Sequence, residues 1–132
     1  MSERTQIPVN SHLLDSIEAE SRWSDAVVVG DFVFVTGQLG WDKQTGEFVE
    51  GIEAQTELAL ENLKAVLETA GATLEDVVQT RIYLTEHDDY HRYESIYARY
   101  FVENQPARVT VVVADLIHHA LFDIEAIAIK RR

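Results

Sequence analysis

Arg108 is the residue best placed by type and context to do chemistry. It follows Pro106-Ala107 and opens the apolar run Val109 to Val113, so partial burial is expected. A guanidinium keeps its proton at any ordinary pH, so a buried one needs an anionic partner. Two readings stay open: an ion pair with a carboxylate on a neighbouring strand, or a two-pronged clamp for a substrate carboxylate. Asp123 and Glu125 alternate with apolar residues near the C-terminus and share one strand face. They fit a solvated edge strand or a partner for Arg108, or a carboxylate that positions or activates a water.

Other side chains offer less. His87 and His91 are four apart and His118-His119 are adjacent, but no spacing matches a full zinc ligand set, and solvated surface histidines are the expectation. No metal is expected. The aromatic series Tyr90, Tyr93, Tyr97, Tyr100 and Phe101 reads as core or interface. Phosphate-binding glycine motifs and a Gly-x-Ser-x-Gly elbow are absent, so nucleotide cofactors and serine-hydrolase chemistry lack support. The chain has no Cys, which excludes disulfides, thiolate nucleophiles and iron–sulfur clusters.

The elements that must hold these residues follow from hydrophobic periodicity. Ala26 to Val29 and Phe32 to Thr36 flank Gly30-Asp31, the pattern of a tight hairpin. Leu39 to Gly51 reads as a glycine-rich loop with few apolar anchors. Over Ile52 to Ala70, Leu60, Leu63 and Leu67 form one helical stripe opposite Glu53, Glu57 and Glu61, with Gly71 as its C-terminal stop. Val77 to Leu84 alternates as a strand, with Val78, Thr80, Ile82 and Leu84 on one face. A second helix runs from a cap at Asp88 or Asp89 to about Val102, stopped by Pro106. Val109 to Val113 predicts a strand buried on both faces. Leu121 to Ile129 predicts the last strand. The order β-β-α-β-α-β-β implies an α+β domain with both helices on one face of a mixed sheet. The apolar content of the other face suggests that oligomerisation covers it.

Composition bounds the rest. The 132 residues suit one domain, 46% of them hydrophobic and 26% charged, as in a globular protein. Residues 1–21 form an N-terminal segment, loose or docking, ahead of a domain at 22–132. The net charge of -12 argues against nucleic-acid partners and against anionic membranes. No run approaches the roughly 20 apolar residues of a membrane span, and Met1 to Asp15 lacks a signal-peptide core. A cytoplasmic protein is expected.

Several segments carry a family resemblance. They are Phe34-Val35-Thr36-Gly37-Gln38, Leu63-Lys64-Ala65-Val66-Leu67 with Ala70-Gly71, Tyr83-Leu84-Thr85, Tyr97 with Tyr100-Phe101, Pro106-Ala107-Arg108, and Ile124-Glu125-Ala126-Ile127-Ala128. In order and spacing the chain resembles the RidA/YjgF family of reactive-intermediate imine deaminases, from about Arg22 to Lys130. The resemblance implies a chorismate-mutase-like fold, a homotrimer enclosing a barrel with sites between subunits, and no cofactor. It implies hydrolysis of small 2-enamino or 2-imino acids to 2-oxo acids and ammonia. Arg108 would grip the substrate carboxylate and Asp123 would hold the water. Trp23, Thr36, Gly37, Glu94 and Thr110 would line the pocket.

The departures are specific. Trp23 stands where deaminating members carry Tyr, and Thr36 where they carry Ser. Glu94 replaces Asn, Val109-Thr110 replace Ser and Cys, and Asp123 replaces Glu. The usual Leu-Pro-Lys-Asp loop is Leu116-Ile117-His118-His119. Asp123 is one methylene shorter than Glu, and misplacements of about 1 Å can cost on the order of 100-fold in rate. Two other readings therefore accompany the deaminase: a hydrolase for a larger carboxylated enamine in a dedicated pathway, or a ligand-binding trimer without catalysis. Ribonucleases have also been described in the family, a role that the acidic charge opposes.

Overall fold

A computed structural model describes residues 3–9 and 22–131. The strands are β1 (Arg4–Ile7), β2 (Ala26–Val29), β3 (Phe32–Leu39), β4 (Val77–Leu84), β5 (Ala107–Val112) and β6 (Phe122–Ile129). The helices are α1 (Ile52–Thr69) and α2 (Tyr90–Tyr100). The strands form one sheet in the order β1-β2-β3-β6-β4-β5. Only β4 and β5 run parallel; the other neighbours are antiparallel. The fold is thus α+β, with both helices on one face, as the sequence predicts. The N-terminal segment adds a strand that the sequence pattern does not announce: β1 pairs with β2 from Arg4↔Val29 to Ile7↔Ala26. Residues 1–2 and 10–21 of that segment lie outside the described residues.

The expected stripe of α1 is the observed core face, with Ala59, Leu60, Leu63, Val66 and Leu67 buried. The helix ends in a Schellman motif: the Ala72 N–H donates to the Leu67 carbonyl and the Gly71 N–H to that of Glu68. Gly71 takes φ +87, which a residue without Cβ adopts cheaply. Facing α1 and α2 are Ile82, Leu84, Phe122, Ile124 and Ala128, all fully buried.

Four expectations need correction. Val78 is exposed, not inward with Thr80, Ile82 and Leu84, because the β4–β6 register shifts between Val77 and Gln79. Helix α2 stops at Tyr100, and the chain turns at Asn104 (φ 54) before Pro106 is reached. Asp89 occupies the N-cap position of α2 but makes no capping bond; it pairs with Arg92 instead. Finally, β5 is a sheet edge, not a strand buried on both faces. Val109 and Val112 are each 49% exposed, since β5 pairs only with β4. Phe32, Phe34, Val78 and Val111 are also exposed, so the face away from the helices carries, beside Arg81 and Glu125, apolar side chains that the described residues leave uncovered.

Candidate active site

Asp123 owes its position to an irregularity in β3. Val35 pairs with Ala126 and Gln38 with Ile124, so Thr36 and Gly37 together oppose Glu125. This bulge lays Gly37 against the Asp123 carboxylate: a Cβ on Gly37 would stand 2.6 Å from Asp123 Oδ1. That oxygen is buried and has no hydrogen-bond partner among the described residues. Burial, reinforced by the charge of Glu125 and opposed by a backbone hydrogen bond at Ile124, pushes the Asp123 carboxyl up to about 6. Glu125 itself accepts a hydrogen bond from the Tyr83 hydroxyl.

Asp123 opens into a cleft of about 820 Å³ with Trp23, Thr36, Gly37, Trp41, Lys43 and Ile117 among its lining. Trp41 stacks on Phe48 with ring centroids 5.8 Å apart and on His118 at 6.1 Å. His118 is exposed, as expected, and is at the same time part of the cleft wall. The Leu39–Gly51 loop is better anchored than its composition suggests. Asn62 Nδ2 of α1 donates to the Leu39 and Trp41 carbonyls at 2.9 and 3.0 Å. Lys43 pairs with Asp25 at 3.3 Å inside the cleft. Sequence reasoning passed over Trp41 and Lys43, and took His118 as a surface side chain and as part of an altered loop without placing it in the pocket. The one available signal was a Trp within a glycine-rich loop.

Arg108 sits elsewhere. Its Nη1 donates to Glu94 of α2 and its Nη2 to the Tyr90 hydroxyl at 2.9 Å. Its carbon Cζ lies 4.8 Å from the Tyr97 ring centroid and 5.6 Å from that of Tyr93, within cation–π range. Thr110 Oγ1 meets the Tyr93 hydroxyl at 2.7 Å, and Thr80 meets that of Tyr97 at 2.9 Å. These bonds fix both rings. The tyrosine series is thus core, as expected, and also the bed of the arginine. Burial lowers the Arg108 pKa most strongly, but the Glu94 hydrogen bond and the charge interactions with Tyr93, Glu94 and Tyr90 together outweigh it, and the net shift is upward. Burial likewise pushes the Tyr93 hydroxyl up to about 12. A cavity of about 340 Å³ adjoins Arg108, lined by Glu94, Tyr97, Gln105 and Pro106 among others.

The two groups do not meet within one chain. Thr80 is paired with both Arg108 and Ala126, which puts Arg108 on the helix side of the sheet. Tyr83 is paired with Asp123, which puts Asp123 on the opposite side, since directly opposed residues share a face. Of the pocket residues expected from sequence, Trp23, Thr36 and Gly37 gather around Asp123, while Glu94 and Thr110 gather around Arg108. Among the described residues no group of His, Asp or Glu could hold a metal ion, and no helix is long and apolar enough to cross a membrane.

The family model "Endoribonuclease L-PSP" matches residues 13–130. The chain belongs to the endoribonuclease L-PSP family, which is the RidA/YjgF family. It is 47% identical over 109 residues to a RutC family protein of Pyrococcus abyssi, covering 82% of this chain and 86% of that one. It is 37% identical over 108 residues to the 2-iminobutanoate/2-iminopropanoate deaminase of Dermatophagoides farinae, covering 81% and 84%. The structure of the YjgF gene product of E. coli matches with a TM-score of 0.85 at 30% identity, covering 96% of this chain and 99% of that one. RidA/YjgF relatives thus include imine deaminases, and the arrangement of sheet and helices is theirs.

Proposed function

We propose that this protein hydrolyses small 2-enamino or 2-imino acids to 2-oxo acids and ammonia, in clefts formed between copies of the chain. The observation that carries this reading is the unpartnered Asp123 Oδ1, buried beside Gly37 at an open cleft. With a pKa near 6 the carboxylate is ionised at neutral pH and ready to accept a hydrogen bond from water. That water adds its oxygen to the imine carbon as the C=N π pair moves to nitrogen. A proton passes to that nitrogen, the C–N bond breaks, and ammonia leaves as the carbonyl forms. Arg108 holds the substrate carboxylate, and holding both partners in line removes much of the entropic barrier.

Since one chain keeps Arg108 and Asp123 on opposite sheet faces, a working cleft takes one from each of two copies. The uncovered apolar face of Phe34, Val109 and Val111 supports assembly into a ring, and we take the ring to be a trimer. The chain brings its own residues to this chemistry and no cofactor enters the reading. A cytoplasmic location belongs to this reading.

A second reading has its own support. The Asp123 cleft, about 820 Å³, falls in the range of about 300–1,000 Å³ typical of pockets for drug-sized ligands. Its wall of Trp23, Trp41 and Ile117 suits a carboxylated enamine with a larger apolar substituent.

A dehydratase that generates 2-aminoacrylate or 2-iminobutanoate in place tests both readings, with oxo-acid release followed over the spontaneous rate. Acceleration by wild type, lost in Arg108→Ala and in Asp123→Asn, supports the deaminase. Mixing the two inactive variants after dissociation should restore activity, because about a quarter of the clefts then receive both groups in a heterologous ring. No acceleration with these substrates, but turnover of larger enamines, favours the second reading. Specific binding without turnover of either class leaves a non-catalytic ligand-binding protein.

A further inference from the structure

Arg108 is already engaged in the free chain. Nη1 serves Glu94 and Nη2 serves Tyr90, while the Tyr93 and Tyr97 rings flank the guanidinium. The arginine side chain is 22% exposed and that of Glu94 is 39% exposed. Tyr90 and Glu94 lie four apart on α2, hence on one helix face. A guanidinium has five N–H donors, so donors remain for a ligand at the open edge. However, the site a ligand meets is a neutral pair and not a bare cation. A plain carboxylate arriving there faces the Glu94 charge, and like charges at such range repel.

We infer that Glu94 is a specificity-determining residue that makes the Arg108 site prefer zwitterions over simple anions. The ligand's carboxylate takes the free donors of Arg108, and a cationic or N–H-rich group beside it is accepted by Glu94. This rests on the reading of Arg108 as the carboxylate clamp. It also divides substrate from product. A protonated 2-imino acid carries its positive charge one bond from the carboxylate-bearing carbon, whereas the 2-oxo acid is a plain monoanion. The same glutamate then favours entry of the first and release of the second.

Isothermal titration calorimetry on the assembled protein tests this with two ligands of equal length, 2-oxobutanoate and L-2-aminobutanoate. Wild type should bind the amino acid at least about tenfold tighter than the oxo acid. Glu94→Gln, which keeps the shape and removes the charge, should tighten oxo-acid binding about tenfold and abolish or reverse the order. Glu94→Asp should retain the wild-type order. Unchanged oxo-acid affinity and unchanged order in Glu94→Gln would overturn the inference, as would failure of wild type to bind the zwitterion. The clamp reading fails separately: Arg108→Ala would then bind both ligands as wild type does.

Discussion

Gly37 and Asp123 share one space: the Cβ that any other residue would carry at position 37 falls 2.6 Å from Oδ1 and 3.0 Å from Oδ2 of the carboxylate. The obstacle is a short side chain, not backbone, so it can rotate away. Gly37→Ala should therefore fold normally, with a melting temperature close to wild type. It should lose on the order of 100-fold in imine hydrolysis, the cost of moving a reacting group by about 1 Å. Combining it with Asp123→Asn should add nothing further. Full activity in Gly37→Ala would show that the carboxylate's position does not matter.

The elevated Asp123 pKa gives two pH dependences. Turnover that needs the carboxylate ionised should rise with pH through a midpoint near 6. Stability should run the other way. The unfolded chain releases this proton near the ordinary aspartate pKa of about 3.9, the folded chain near 6. Between those values the native state binds more protons, so this residue's contribution falls as pH rises and is constant above about 6. Asp123→Asn should raise the unfolding free energy at pH 7.5 by more than at pH 4, the difference being on the order of 1–3 kcal/mol. Chemical denaturation at both values measures it.

Arg108→Lys should reduce kcat/KM about 100-fold or more, because an ammonium cannot reach Glu94, Tyr90 and a ligand carboxylate together as a planar fork does. The loss should appear mostly in KM if the residue binds ground state and transition state alike. Steady-state kinetics in the dehydratase-coupled assay separates the two.

Gly40 approaches backbone instead. A Cβ there would lie 2.3 Å from Gln55 Cα and 2.5 Å from the Gln55 carbonyl oxygen, in the first turns of α1. Gly40→Ala must push the helix off its loop, at a cost of about 3 kcal/mol, or a fall in melting temperature of about 10 °C. Calorimetry on Gly40→Ala beside Gly37→Ala contrasts a backbone obstacle with a side-chain one.

The apolar outer face predicts the assembly. Light scattering should return about 45 kDa, three times the 15.0 kDa chain. Phe34→Glu and Val109→Glu place charge on that face and should shift the mass toward the single chain, with hydrolysis lost in parallel. A monomer that retains full activity would contradict the two-copy cleft.

How much of this was legible in the residues varies with the range of the forces involved. The stripe of α1 and the alternation of β6 come from periodicities that span a few residues, and both appear as expected. Strand β1 does not, because Arg4, Thr5 and Gln6 are exposed and the strand is held by pairing with a segment some twenty residues away. The valines of β5 announce burial but not who supplies it; within the chain they stay half-exposed. Arg108 and Asp123 stood out by residue type, and Glu94 as Arg108's partner came from the helix and not from a neighbouring strand. The Trp41, Phe48 and His118 wall depends on a loop tied down by Asn62, a contact no local pattern encodes.

The placement of Arg108 and Asp123 on opposite faces of one sheet has a genetic consequence. In the proposed ring each chain would serve two clefts, giving Arg108 to one and Asp123 to the other. An allele lacking a single group silences one cleft for every defective copy it contributes. An allele lacking both silences two, so at equal expression with the normal allele about a quarter of the clefts stay intact, against about a half for an allele lacking one group. Two alleles that are each inactive alone, one for each group, should restore hydrolysis when expressed together.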